Sequence, residues 1–143
     1  MIIKPSLLSL AIYITSLFDI NYAYADKTPQ DIAGTIKVDS EAVIDLVSQY
    51  PNLVIVDSRI PGDRLQGYIE GSVSLPDVKT DCDSLALIIQ NKSFPVLFYC
   101  NGINCGRSAK AVRIAVKCGY EKIYWFRGGF VEWKAKGYPF LQK

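Results

Sequence analysis

The chain has 143 residues, half of them hydrophobic, and its 16 basic and 14 acidic side chains give a formal net charge of +2. This length suits one domain with a single core, and the near-neutral charge indicates neither a nucleic-acid surface nor an acidic tail. The chain contains no histidine, which excludes Ser-His-Asp and Cys-His catalysis, His-ligated zinc or haem, and imidazole proton shuttles.

Residues 1–25 have the features of a secretory signal peptide. Lys4 supplies a positive start, Leu7 to Phe18 is an apolar run too short to cross a bilayer, and the segment Ala23 to Ala25 has the small-x-small pattern that precedes cleavage. We therefore predict cleavage after Ala25 and a periplasmic or secreted product that has no membrane attachment after cleavage. An uncleaved N-terminal anchor is the alternative.

The next segments predict alternating strands and helices. A short strand over Gly34–Asp39 precedes a helix that Ser40 caps, and Pro51 ends that helix. The run Leu53–Asp57 is continuously apolar and rich in β-branched residues, which is typical of a strand covered on both faces. A polar loop and a short strand within residues 68–76 follow.

The second half of the chain repeats this alternation. Its predicted elements are a helix capped by Asp83 and Ser84, a buried strand over Pro95–Cys100, a helix over Arg107–Cys118 that ends at Gly119, a buried strand over Lys122–Phe126, and a short amphipathic helix after a Gly-Gly turn. Buried strands separated by helices imply right-handed crossovers. We therefore predict an α/β domain over residues 35–143, a parallel sheet with helices on both faces in three α/β/α layers.

The loop after the second buried strand reads CNGINCGR and is the candidate site. Sites in parallel sheets form at the carboxyl ends of strands, where Cys100 lies. Cysteine reacts as its thiolate, which a helix N-terminus and converging backbone N–H groups stabilise. Arg107 adds a positive charge. The pattern predicts an anion-binding loop with Cys100 at its floor, formed by Asn101, Gly102, Ile103, Asn104, Cys105 and Gly106, in which the two glycines permit sharp turns.

Two reactions use such a loop without histidine. Phosphoryl transfer through a cysteinyl phosphate needs one residue fewer between Cys and Arg than the six that separate Cys100 from Arg107, and the loop holds no acidic residue to protonate a leaving group. In sulfane-sulfur transfer, by contrast, the cysteine attacks an outer sulfur atom and carries it as a persulfide. The sequence therefore favours sulfur transfer over a phosphatase, and we expect no metal or organic cofactor.

Five segments occur in an order and spacing that resemble a known family: VIVDSR, GYIEGSVSLP, VLFYCNG, GRSAKAV and GYEKIYWFRGGFVEW. From Thr35 to Phe140 the chain resembles the single-domain rhodaneses, which are sulfurtransferases, and in particular exported members with a CNGxxC loop. The resemblance implies a rhodanese-like α/β fold, with Cys100 as the persulfide-forming nucleophile and the loop amides binding the sulfur anion. Its active loop is two residues longer than the usual pattern, and the extra length includes Cys105.

The resemblance also implies a substrate class. The donor would be a small anionic sulfur compound such as thiosulfate or a persulfide, and the acceptor a thiol, cyanide or a periplasmic protein. Arg59 or Arg64 would line the pocket mouth and orient the donor. A purely structural alternative for Arg59 is an ion pair with Asp57 that holds the loop. Tyr68 stands where the family usually has histidine.

The remaining cysteines leave several roles open. Cys105 is a resolving thiol that attacks the persulfide, a reversible disulfide partner of Cys100, or a bystander. Cys118 lies on an apolar helix stripe and is expected to pack in the core, and Cys82, in a polar connection, is a candidate partner for it. Two other functions therefore stay open, a thiol–disulfide redox protein that uses Cys100 and Cys105, and a non-catalytic rhodanese-like binding module.

Overall fold

The computed structural model describes residues 28–142, so the predicted signal peptide lies outside the described residues. Strands and helices alternate through most of this range, as predicted from the spacing of apolar runs. In chain order the elements are β1 (Ile36–Val38), α1 (Ser40–Gln49), β2 (Val54–Asp57), α2 (Pro61–Arg64), β3 (Val73–Ser74), a 3₁₀ helix (Asp77–Lys79), α3 (Cys82–Ile88), β4 (Pro95–Tyr99), α4 (Gly106–Lys117), β5 (Lys122–Phe126) and α5 (Gly129–Ala135).

The five strands form one sheet in the order β1-β5-β4-β2-β3, and every neighbouring pair is parallel. Helices cover both faces. One face packs against α3 and α4 through a cluster that includes Val56, Phe98 and Val112. The opposite face packs against α1 and α5 through a cluster that includes Leu97 and Trp133. The predicted parallel sheet with helices on both faces is therefore confirmed.

The central strands β4 and β5 match their predicted positions closely. All five residues of β4 are buried, and so are the last four of β5. A strand buried on both faces reads as an unbroken apolar run, which the sequence shows at both places. Trp125, Phe126 and Trp133 are also buried and belong to the core clusters on the two faces of the sheet. Together these strands place the segment after Tyr99 in the middle of the sheet's carboxyl edge.

Two helix starts differ from the predictions. The N-cap of α1 is Asp39, whose side chain accepts a hydrogen bond from the Ala42 N–H, so Ser40 is the first residue of the helix rather than its cap. Helix α3 begins at Cys82, and Asp81 and Ser84 form a reciprocal capping box there. The predicted caps were wrong because neighbouring residues with similar capping ability stand at each start.

Three further elements depart from expectation. The strand expected within residues 68–76 shrinks to β3, α2 lies in the segment predicted as a polar loop, and the 3₁₀ helix lies where no element was predicted. The end of α4 agrees with the prediction, since Gly119 takes a φ of 84° just beyond the helix. No helix among residues 28–142 is long and apolar enough to span a bilayer.

A disulfide between Cys82 and Cys118 ties the start of α3 to the end of α4. The two Cα atoms lie 5.5 Å apart and the cysteines are 36 residues apart in sequence. The candidate pairing is confirmed, and Cys118 is buried in the core as its helix stripe predicts. Cys82 does not lie in a polar connection as expected, because it is the first residue of α3.

Candidate active site

The site forms where β2 and β4 end side by side. Asp57 and Tyr99, the last residues of the two strands, are register partners, and the Ser58 N–H donates to the Tyr99 carbonyl at 3.0 Å. Cys100 follows directly and is only 1% exposed. The structure therefore places the predicted nucleophile at the carboxyl edge of the sheet, where parallel sheets present their functional groups.

Cys100 is joined to Cys105 by a disulfide, with the two Cα atoms 6.1 Å apart. The loop turns back on itself because the Cys105 N–H donates to the Gly102 carbonyl at 2.9 Å. Cys105 is also the N-cap of α4. Of the three roles considered for Cys105, the structure shows disulfide pairing. Cys100 is thus not a thiolate in this state, and the disulfide must open before the sulfur can act as a nucleophile.

The start of α5 holds the beginning of the loop in place. The Phe130 N–H donates to the Cys100 carbonyl at 2.9 Å, and the Val131 N–H donates to the Asn101 carbonyl at 2.7 Å. This close approach requires glycine at Gly129, which has a φ of 60° and where a Cβ atom would overlap the Cys100 carbonyl oxygen. The Gly-Gly turn predicted before α5 therefore allows the start of this helix to form hydrogen bonds with the loop.

The first side chain of the loop is held by hydrogen bonds, whereas the side chains in its middle are exposed. Asn101 is fixed, because its amide donates to Asp63 at 2.8 Å and its carbonyl oxygen accepts from Arg59 at 3.4 Å. Ile103 and Asn104 are exposed. The Cys105 N–H, predicted to face an anion, is already bonded to the Gly102 carbonyl.

A cavity of about 520 Å³ opens beside the loop. Its wall consists of loop residues together with residues from the start of α5: Asn101, Gly102, Ile103, Asn104, Cys105, Gly128, Val131 and Glu132. Cys105 borders this cavity whereas the buried Cys100 does not. A reagent that enters the cavity therefore meets the Cys105 side of the disulfide first.

Arg107 lies in the first turn of α4 and does not line the cavity. Its guanidinium donates to the Asp77 carboxylate at 2.9 Å, and Lys110 reaches the same carboxylate at 3.4 Å. Asp77 belongs to the 3₁₀ helix and is buried. Sequence reasoning missed Asp77, since nothing in its local sequence distinguishes it from other loop carboxylates. Arg107 therefore places a positive charge near the loop, and the Asp77 carboxylate partly neutralises that charge.

Arg59 forms a buried ion pair with Asp57. The guanidinium Nε donates to Oδ1 at 2.9 Å and Nη2 donates to Oδ2 at 2.7 Å, with both side chains 1% exposed. Burial alone would raise the pKa of Asp57, but hydrogen bonds and charge from Arg59 outweigh burial and lower it. The ion pair predicted as the structural alternative for Arg59 is confirmed.

Arg64 extends the same network toward the surface. It donates to Asp57 at 3.0 Å and to the Ser72 hydroxyl at 2.9 Å, and its guanidinium lies 3.7 Å from the centre of the Tyr68 ring. Arg59 and Arg64 both surround Asp57, and neither borders the cavity beside the loop. Their predicted role in orienting a donor stays a prediction.

Tyr99 completes the network from the last position of β4. Its hydroxyl donates to Asp57 at 2.8 Å and accepts from the Ile69 N–H at 3.2 Å. Burial, followed by the negative charge of Asp57, raises the pKa of Tyr99 to about 12. Sequence reasoning assigned no role to any tyrosine. The signal was present, since Tyr99 carries the one hydroxyl within the apolar segment PVLFY.

Comparisons with known proteins agree with this architecture. Residues 40–136 match the model of the rhodanese-like domain family. A curated sulfurtransferase of Allochromatium vinosum is 26% identical over 105 residues, which cover 73% of this chain and 94% of that protein. A crystal structure of a Bacillus halodurans protein superposes with a TM-score of 0.66 at 21% identity, covering 75% of this chain and 77% of the other. The polysulfide-sulfur transferase homodimer of Wolinella succinogenes gives 0.64 at 21% identity, covering 78% and 81%.

Proposed function

This chain belongs to the rhodanese-like domain family, and we propose that it is a sulfurtransferase that carries sulfane sulfur as a persulfide on Cys100. One observation supports this role above the others. Cys100 stands at the carboxyl end of the central strand β4, directly before a loop that leads into the N-terminus of α4. Partial positive charge at a helix N-terminus favours an anion, and a thiolate or a persulfide anion is one.

The disulfide sets the order of the proposed reaction. A dithiol reductant first transfers two electrons to the Cys100–Cys105 disulfide, which yields two thiols and the oxidised reductant. The Cys100 thiolate then attacks the outer sulfur of thiosulfate. A sulfur–sulfur bond forms on Cys100 while the bond to the sulfonate sulfur breaks, and sulfite leaves with its electron pair. An acceptor thiol or cyanide later attacks the outer sulfur of the persulfide and regenerates the Cys100 thiolate.

We assign Arg107 to stabilising the sulfur anion in this proposal. The side chain is in the first turn of α4 and is 37% exposed, whereas its partner Asp77 is 9% exposed and also pairs with Lys110. Because the guanidinium reaches solvent and Lys110 also pairs with Asp77, we propose that Arg107 exchanges partners when an anion binds at the loop. The loop N–H groups would supply the remaining donors.

We place this activity in the periplasm or outside the cell. Two disulfides lie within the described residues, and disulfides persist in oxidising compartments. The segment from Lys4 to Ala25 has the pattern of a signal peptide. A reductant that works in the same compartment is then required to open the Cys100–Cys105 disulfide, and a protein dithiol is the chemical class that fits.

The proposed function is tested by turnover with thiosulfate and cyanide. Reduced protein should form thiocyanate repeatedly, and Cys100→Ser should form none, while Cys105→Ser, which cannot form the loop disulfide, should stay active without prior reduction. Equal rates for wild-type protein and Cys100→Ser would contradict the proposal. The Cys82–Cys118 disulfide must be shown by mass to stay intact during the reduction step, so that loss of fold is not mistaken for loss of chemistry.

The Cys100–Cys105 disulfide favours a second candidate function, thiol–disulfide exchange with a partner protein. In this case electrons, rather than sulfur, would pass through the loop, and the exposed side of the disulfide at Cys105 would receive the attacking thiolate. A mixed disulfide trapped on Cys105 in a Cys100→Ser variant, with no persulfide on the wild-type protein, would support this function over sulfur transfer.

A further inference from the structure

Ser58 carries a buried hydroxyl that has no hydrogen-bond partner among residues 28–142. The residue is 0% exposed. Its backbone is fully engaged, since the N–H donates to the Tyr99 carbonyl at 3.0 Å and the carbonyl accepts from the Asp77 N–H at 3.2 Å. Buried hydroxyls in folded proteins are nearly always paired, and an unpaired one lowers stability. Its position therefore calls for a functional explanation.

The strand register places Ser58 beside Cys100. Val56 pairs with Phe98 and Asp57 pairs with Tyr99, so the next position on β2 adjoins the next position on β4. The hydrogen bond from the Ser58 N–H to the Tyr99 carbonyl continues the parallel ladder by one step. Ser58 and Cys100 are thus neighbours across two adjoining strand ends.

The alternation of side chains along the two strands, continued by one position, puts Ser58 and Cys100 on the same face of the sheet. Side chains alternate along a strand, and Val56 and Phe98 belong to the cluster that packs against α4. Two residues further along, Ser58 and Cys100 face the same way. The disulfide agrees with this direction, because it joins Cys100 to the N-cap of α4.

The other polar groups on this side already have partners. The Ser108 hydroxyl, in the first turn of α4, accepts a hydrogen bond from the Trp125 indole at 3.0 Å. The Asp77 carboxylate is engaged by Arg107 and Lys110. The sulfur of Cys100 is then the neighbouring atom that gains acceptor strength when the disulfide opens, because a thiolate accepts hydrogen bonds and a disulfide sulfur accepts them poorly.

We propose that the Ser58 hydroxyl donates a hydrogen bond to the Cys100 sulfur in the reduced and persulfide forms, which makes Ser58 a further catalytic residue. This inference rests on the proposed role of Cys100. In the disulfide form the Ser58 hydroxyl has no partner among the described residues. Reduction of the disulfide turns the Cys100 sulfur into an acceptor. The hydrogen bond favours the anion over the thiol, so it makes Cys100 a stronger acid and holds the sulfur in position.

The test measures the acidity of Cys100 in a Cys105→Ala background, where Cys100 is the single free thiol among the four cysteines. The pH dependence of alkylation by iodoacetamide, followed by intact mass, gives the midpoint of thiol ionisation. Ser58→Ala should move this midpoint upward by about one pH unit, a tenfold change in the ionisation constant, as expected for loss of one hydrogen bond to an anion. An unchanged midpoint would overturn the proposal.

Nearby charges are the same in both proteins, so the difference isolates the hydroxyl. The charged groups on the elements around the Cys100 loop are Asp63, which accepts from Asn101, Asp77 from the 3₁₀ helix, Arg107 and Lys110 from α4, Glu132 from α5, and the Asp57–Arg59 pair at the end of β2. Ser40→Ala is the control for acidity. It removes another buried serine hydroxyl, bonded to Glu41 at the start of α1, and should leave the midpoint in place.

Stability of the oxidised protein provides the second measurement. Ser58→Ala removes a hydroxyl that has no partner in this state, so the urea midpoint of unfolding should stay unchanged or rise. Ser108→Ala removes a paired buried hydroxyl and should lower that midpoint. A Ser58→Ala variant that unfolds as early as Ser108→Ala, or fails to fold, would show that the hydroxyl has a structural partner and would overturn the proposal.

The outcome is separable from that of the proposed function. If Ser58→Ala shifts the ionisation midpoint of Cys100 but the wild-type protein never gains sulfur from thiosulfate, the Ser58 contact stands and sulfur transfer is wrong. Protein that gains sulfur equally well with Ser58→Ala, at an unchanged ionisation midpoint, would retain sulfur transfer and defeat the Ser58 contact.

Discussion

Arg59 and Asp57 form a two-point ion pair beneath the active loop, with nitrogen–oxygen distances of 2.9 and 2.7 Å and both side chains almost completely buried. The same guanidinium also donates to the Gly67 carbonyl at 2.8 Å, and its carbon lies 4.5 Å from the centre of the Phe130 ring. Phe130 in turn holds the Cys100 carbonyl. The pair thus joins the end of β2, the following loop and the start of α5.

Replacing Arg59 with leucine should destabilise the fold by about 3–5 kcal/mol, because it leaves the Asp57 carboxylate buried without its main partner. The measurement is urea unfolding at neutral pH. Arg64→Leu is the matched control, since its side chain is more exposed and contacts the same carboxylate at one point. It should cost about 1 kcal/mol. Equal losses of stability for the two variants would show that burial of the Arg59–Asp57 pair does not increase its contribution to the free energy of unfolding.

The Cys82–Cys118 disulfide should contribute more to stability than the Cys100–Cys105 disulfide. Closing a loop of 36 residues removes more chain entropy from the unfolded state than closing one of 5. The expected losses are about 4 kcal/mol for the double Cys82→Ala/Cys118→Ala variant and about 2 kcal/mol for Cys100→Ala/Cys105→Ala. Urea unfolding without reductant measures both. The reverse ranking would contradict this division between a structural bridge and a functional one.

Arg107→Gln should slow sulfur uptake from thiosulfate about tenfold, as expected for loss of one charged hydrogen bond to an anion. Its effect on unfolding should stay at about 1 kcal/mol, because the Arg107 side chain is 37% exposed and Lys110 still pairs with Asp77 in the variant. Arg113→Gln on the exposed face of α4 is the control and should change neither quantity. If Arg107→Gln loses stability without losing rate, Arg107 serves only to fasten α4 to the 3₁₀ helix.

Tyr99 should make the fold sensitive to alkali. Its pKa is raised to about 12 in the folded protein, while an unfolded tyrosine ionises near pH 10. The stabilising contribution is therefore complete below about pH 10 and is lost as the pH rises toward 12, by roughly 2–3 kcal/mol. Tyr99→Phe should be less stable than wild type at pH 8, since its hydrogen bonds are gone, and should lose less on going from pH 9.5 to 11.5. Parallel stability curves for the two proteins would refute this.

The central strands could be predicted because strands buried on both faces have continuous apolar sequences. PVLFY and KIYWF form β4 and β5 with the predicted starts, since each lies in the centre of the sheet with helices on both sides. The edge strand β3 has just two residues, so its sequence shows no alternation to detect. The cap of α1 depended on a single contact, the Ala42 N–H to Asp39, which adjacent Asp and Ser residues leave undecided in the sequence.

The position of the candidate site could be predicted from the sequence, but the disulfide and the partners of its charged residues could not. Cys100, its loop and the helix after it lie where the strand pattern and the glycines place them. The partners of the charged residues depend on tertiary packing. Asp77 meets Arg107, and the Ser58 N–H meets the Tyr99 carbonyl, only after distant segments come together. Spacing allowed Cys105 to pair with Cys100 but did not show that it does, whereas the folded loop shows the disulfide.

The most direct measurement is the intact mass of the reduced protein after incubation with thiosulfate. Wild-type protein should gain the mass of one sulfur atom, and peptide mapping should place it on Cys100. Protein that keeps the Cys100–Cys105 disulfide should gain nothing until a dithiol is added, and Cys100→Ser should gain nothing in either state. Wild-type reduced protein whose mass stays unchanged at every pH near neutral would contradict the account.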